Sequence, residues 1–71
     1  MEREKFIEQY EVADRMKVFF KTWGLKQRFV AETCGIDANI FSKFMNHVAI
    51  LSEKQMNRLI AYEKDYIRRN S

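Results

Sequence analysis

The apolar residues of this chain recur at helical spacing, not at the alternation expected of a strand. Phe6, Tyr10, Ala13, Met16 and Phe20 follow one another at intervals of three or four, with Val12, Phe19 and Trp23 beside them. The pattern predicts a first, long helix over about 3–22. Acids fill its first turns and Lys17 and Lys21 come later, the order that the helix dipole favours. Gly24 then suits the left-handed residue that ends such a helix.

A short second helix is predicted over about 27–34, turning Phe29, Val30 and Cys34 inward and placing Ala31 at a tight crossing. Gly35 supplies the positive φ that stops it, Ile36 pins the corner to the core, and Asp37 caps the next helix. That third helix covers about 38–46, with Phe41 and Phe44 inward and Ala38, Asn39, Ser42, Lys43 and Asn46 outward. Ser52 and Gln55 form an S-x-x-Q capping box, so a fourth helix starts near 53 and runs to about 68. Its stripe is Met56, Leu59, Ile60 and Ile67, with Tyr62 and Tyr66 at the margins. With no proline, two glycines and no Asn-Gly or Asp-Gly pair, nothing marks a β-hairpin. The expected fold is all-α: one compact four-helix domain over 1–71, without repeat or linker.

Composition narrows the function. A chain of 71 residues with 46% hydrophobic residues can bury a core. Phe19, Phe20, Trp23, Phe29, Phe41 and Phe44 fall at helical spacing, which suits packing better than stacking on single-stranded bases. One cysteine cannot form an intramolecular disulfide, which points to a reducing compartment. The longest apolar run, Val48 to Leu51, is far short of a membrane span, and residues 1–15 are too charged for a signal peptide. A cytoplasmic, membrane-free protein is expected. Cys34 alone on an inner face suits a packed small hydrophobe. With His47 it makes neither a structural zinc site nor a supported triad, so no metal is expected. No carboxylates are forced together and no glycine-rich phosphate loop occurs, so no enzyme, cofactor or small-molecule substrate is expected. Charge is unevenly distributed. Residues 1–14 hold five acids against two bases, whereas residues 15–28 hold five bases and no acid. Such a segment suits an anionic partner or a plain solvated face, and charge alone does not choose.

Two short helices joined at Gly35, Ile36 and Asp37 make a helix-turn-helix, with its core at about 26–46. The stretch GLKQRFVAETCGIDANIFSKFMN resembles the core of the phage-repressor and Cro-like family, the XRE family. Gly24-Leu25, Gln27, Val30-Ala31, Gly35-Ile36, Phe41-Ser42-Lys43-Phe44 and Asn46 carry the match, and Ser52, Met56 and Leu59 fall where that family builds its fourth helix. The resemblance covers about residues 12–62. It implies a lambda-repressor-like domain and a small transcriptional regulator that binds double-stranded DNA with its third helix in the major groove. A minimal domain of this kind is compatible with a phage or mobile-element regulator. The resemblance places Gln27 at a phosphate or base edge, Ala38, Asn39 and Lys43 at base-reading positions, and Asn46 at the DNA backbone. The residue chemistry agrees. Asn39 and Lys43 share one face, Asn can bond adenine bidentately and Lys can reach guanine, each good pair discriminating by about 1–3 kcal/mol. Ala38 and Ile40 suit a thymine methyl, and Ser42 suits a base or a phosphate. Lys17, Lys21, Lys26 and Arg28 would supply nonspecific attraction.

Two departures from the family pattern stand out. Lys26 and Phe29 replace the usual capping pair of the second helix, and Lys26 and Arg28 put positive charge at its positive end, costing roughly 0.3–1 kcal/mol each. A phosphate there would turn the liability into a clamp. The loop after the third helix is HVAIL, His47 to Leu51. Its apolar residues are covered either by self-association, through Val48, Ile50, Leu51 and Tyr62 in a two-fold dimer, or by burial of Ile50 and Leu51 in the core. The alternative function is a protein-interaction module, an antirepressor, adaptor or inhibitor, working through HVAIL and the Ile40 face.

Overall fold

The computed structural model describes residues 2–71, with side chains from Ile7 onward. Phe6, placed on the first stripe by its sequence, and the charges at residues 2–5 lie outside the described side chains. The helices are α1 (Glu2–Trp23), α2 (Gln27–Thr33), α3 (Ala38–Met45) and α4 (Glu53–Asn70), with no strand among the described residues. At 1.5 Å per residue, the 22 residues of α1 span about 33 Å. That helix sets the long axis of a body measuring 36 by 21 by 20 Å.

Three of these helices stop in the same way. Gly24, Gly35 and His47 have φ of 66°, 70° and 62°. The amide after each reaches back to the preceding helix: Leu25 to the Phe20 carbonyl, Ile36 to Ala31 and Val48 to Lys43, each at 2.8 Å. These are the six-to-one bonds of the Schellman motif, which needs one left-handed residue. Glycine takes that conformation without a Cβ penalty, but His47 does not. The starts of α3 and α4 are capped as their sequences predict. The Asp37 carboxylate accepts from Asn39 and Ile40 amides, and Ser52 with Gln55 closes both halves of the capping box.

The core draws on every element. Ala13, Met16, Phe19 and Phe20 of α1 meet Val30, Ala31 and Cys34 from α2 and the residue after it. Phe41, Phe44 and Met45 of α3, Ile36 of the corner, Leu51 of the loop and Leu59 of α4 complete it. Cys34 is packed as expected, its thiol 3.9 Å from the Arg58 carbonyl. Several expected core residues stand outside. Phe29 is 58% exposed, because the seven-residue α2 buries only the edge that carries Val30 and Ala31. Trp23 ends α1 with one ring edge against Tyr66, leaving it 36% exposed, and Ile67 is 40% exposed beyond the last core turn of α4. In the loop the apolar pair divides: Leu51 is 2% exposed and Ile50 is 44% exposed.

Two polar ties, each with a buried member, hold α1 to the rest. The buried amide of Gln9 donates to the Leu51 carbonyl at 2.8 Å and accepts from the Leu51 amide at 2.7 Å. Arg15 donates to both carboxylate oxygens of the buried Glu63, at 2.8 and 3.0 Å. No buried side-chain polar atom among the described residues lacks a partner. Replacing Gln9 with Ala leaves both backbone groups of a buried residue unpaired, so Gln9→Ala is expected to cost about 2–4 kcal/mol in chemical denaturation. A loss below about 0.5 kcal/mol would show that water replaces the amide freely.

Candidate nucleic-acid interface

The chain enters α2 without a side-chain cap. Lys26 occupies the N-cap in extended conformation, makes no capping bond, and no acid lies in the first turn. Lys26 is exposed, Gln27 is half-buried and Arg28 projects into solvent, 3.7 Å from Glu32 one turn on. With side chains 83% and 67% exposed, that pair contributes little and gives way readily.

Gly35, Ile36 and Asp37 then aim α3. Gly35 donates to Glu32 and Ile36 to Ala31, the two bonds of the Schellman corner, while the Ile36 side chain is 3% exposed. A Cβ at Gly35 would lie 3.2 Å from an Arg58 guanidinium nitrogen, so this position is restricted by its φ and by its neighbour. Beyond the corner, Phe41, Phe44 and Met45 anchor α3, and Ala38, Asn39, Ile40 and Lys43 stand exposed. Ser42 is half-buried.

Gln27, Arg28, Ala38 and Asn39 line one cleft, floored by Ala31 and Phe41. Two of the expected phosphate contacts therefore lie beside two of the expected base readers. Lys43 follows Asn39 by one turn on the exposed face, and among the described residues neither side chain has a partner in the fold. Asn46 is less free, since its Nδ2 donates to the Ser42 carbonyl at 2.9 Å and helps to end α3. The expected dimer residues do not form one surface. Val48 is 73% exposed and Ile50 44%, but Leu51 belongs to the core. Tyr62 stacks on Tyr66 and lines a separate groove with Cys34 and Arg58.

Sequence reasoning gave His47 no structural part, yet it fastens the end of α3. Its ring stacks on Tyr10 at 4.5 Å, and Nε2 lies 3.0 Å from Asp14 Oδ1. Nothing in the local sequence signals this contact, because its partners lie 37 and 33 positions away. Among the described residues no group of three His, Cys, Asp or Glu side chains could hold a metal ion, and no helix is long and apolar enough to cross a membrane. Burial pushes the Cys34 thiol pKa up, opposed by the nearby Arg58 charge, and burial together with Tyr66 and Cys34 raises that of Tyr62. No protein-family model matches the chain, and searches of curated proteins and of solved structures likewise return no match.

Two outcomes are expected. His47→Ala keeps the left-handed backbone and loses the ring contacts, whereas His47→Gly loses the contacts and relieves the backbone. The glycine variant should be more stable than the alanine variant by about 1 kcal/mol in urea titration. For Cys34, a raised folded pKa keeps the thiol protonated where the unfolded chain's thiol ionises. The associated stability is present below the unfolded value and lost as pH rises towards the folded one. Iodoacetamide at pH 8.5 should therefore label Cys34 slowly in native protein and quickly in denaturant; equal rates would contradict its burial.

Proposed function

We propose that the chain binds double-stranded DNA as a small transcriptional regulator, with α2, the Gly35 corner and α3 acting as a helix-turn-helix. The observation that carries this reading is the shared cleft of Gln27, Arg28, Ala38 and Asn39, beside the exposed and unpartnered Lys43. A helix about 10–12 Å across fits a major groove about 12 Å wide. Inserted with its exposed face first, α3 carries an amide and an ammonium group towards the base edges. Lys26, Gln27 and Arg28 lie at the rim, where side chains meet phosphate and fix the register. In this reading the chain is a binding module and not an enzyme.

A protein-interaction role is the second reading, and the apolar exposure of Ile40 (42%) and Val48 (73%) favours it. Selection from a random duplex library at two salt concentrations separates the two. DNA recognition predicts an enriched motif that survives higher salt. Lys43→Ala should then relax preference at one position by about 1–3 kcal/mol, while Arg28→Ala should weaken all sequences alike and lower the salt slope by about 1. A library with no enriched sequence, or a Lys43→Ala variant that loses affinity equally for every duplex, would sink the reading.

A further inference from the structure

Tyr10, Asp14, Lys17 and Lys21 fall at i, i+4, i+7 and i+11 of α1, so they share one side of that helix. The first two define where that side points. Tyr10 stacks on His47 and Asp14 bonds to it, and His47 immediately follows the C-cap of α3. Farther along, the Phe20 ring of α1 packs on Phe41 of α3, centroids 6.1 Å apart. The exit of α3 thus lies beside the middle of α1 and Phe41, midway along α3, beside its last turns, so α3 runs back along this helix. Lys17 and Lys21 sit within the overlap. They share the side of α1 that Tyr10 and Asp14 turn towards His47, whereas Ala38 and Asn39 share their cleft with α2.

Both lysines are available. Lys21 is exposed and has no carboxylate within 4.0 Å among the described residues. Lys17 has Asp14, 3.8 Å away, with the two side chains 51% and 62% exposed. The same Asp14 oxygen is held by His47 at 3.0 Å, so the carboxylate stays fixed beside the lysine.

We infer that Lys17 and Lys21 form a second phosphate-binding rail, and that Asp14 tempers its charge. This rests on the DNA reading above and deepens it by assigning the residues that meet the second backbone of the groove. The exposed face of α3 is bracketed by two sets of cations: Lys26 and Arg28 on the α2 side, Lys17 and Lys21 on the α1 side. Packed helices lie about 8–10 Å apart, and the major groove is about 12 Å wide between its two backbones. A helix seated in that groove therefore brings its neighbours on either side over opposite strands. A single strand offers one backbone and has no use for the second rail. Lysine is suited to this task, being a mobile point charge that reaches phosphate without fixed geometry. Asp14 opposes the approach of phosphate and at the same time holds the His47 corner that ends α3.

The test uses the whole chain and a labelled duplex of about 20 base pairs, titrated between 50 and 200 mM salt. Lys17→Gln with Lys21→Gln should make the salt slope shallower by about 2. It should weaken binding roughly ten- to a hundredfold at 0.1 M salt, equally on all sequences and with base preference retained. Asp14→Asn, which keeps a hydrogen-bond acceptor for His47, should tighten binding several-fold on every duplex. Circular dichroism melts of each variant separate lost binding from lost folding. An unchanged salt slope in the double variant, on a duplex where Lys43→Ala still relaxes preference at one position, overturns the rail and leaves the groove reading standing. Equal affinity for single strand and duplex also overturns it, and absence of duplex binding by the unaltered chain at 50 mM salt overturns both. Weakening by the double variant without tightening by Asp14→Asn retains the rail and removes the role given to Asp14.

Discussion

Between Cys34 and Asp37 the chain reverses from one helix into the next, and its backbone groups find partners within the corner itself. Gly35 and Ile36 donate back into α2, and the Asp37 carboxylate receives the first amides of α3. The Ile36 side chain is buried beneath this polar frame. The direction of α3 depends on that arrangement. An eight-residue helix is too short to be stable alone, so its geometry must come from its ends and from one buried face. Phe41, Phe44 and Met45 supply the face, and Asp37 and the Asn46–His47 corner supply the ends. With every inward position committed, the exposed side chains of Asn39 and Lys43 carry no structural duty.

The other end of α3 is secured by a different device. His47 takes the left-handed conformation without glycine's freedom, at a cost of about 1–2 kcal/mol. Its stack on Tyr10 and bond to Asp14 offset that cost and tie the exit of α3 to α1. Four residues later Gln9 grips Leu51 through both backbone groups, and Arg15 grips Glu63 across the gap to α4. A chain of 71 residues has little interior, and these directional contacts fix the register of α1 where apolar contact alone would allow sliding.

The parts of this architecture that were legible in the sequence are those set by local chemistry. Gly24, Gly35, Asp37 and the Ser52–Gln55 box mark helix ends because capping and positive φ are decided within about four residues. Helix bounds came within two residues of those observed, and the outward face of α3 followed from Phe41 and Phe44 alone. Less was visible where distant segments meet. Gln9 and Glu63 look like ordinary surface residues until Leu51 and Arg15 close over them, 42 and 48 positions away. Met45 extends the buried edge of α3 by one position that a two-residue stripe does not reveal. Phe29 misled in the opposite direction: hydrophobicity suggests burial, but a seven-residue helix flanked by α3 and α4 has only one covered edge. The division of Ile50 from Leu51 likewise depends on which backbone Gln9 holds.

The start of α2 bears both on stability and on the proposed reading. A side-chain oxygen at the N-cap is worth about 0.5–2 kcal/mol, and a chain of this length is held by roughly 4–10 kcal/mol in all. Lys26 forgoes that gain, and with Arg28 it adds like charge to the positive pole of the helix. The same chain caps α3 with Asp37 and α4 with a complete box, so capping is not neglected at the two helices that follow. The uncapped start is also the one beside the cleft that holds Ala38 and Asn39. A favourable cap is thus missing where positive charge gathers, and on the proposed reading a phosphate at this rim would relieve that repulsion. On the proposed reading, the unfavourable charge at α2 and the tempering of Lys17 by Asp14 are two settings of one variable: the positive charge offered to either side of the same protruding helix.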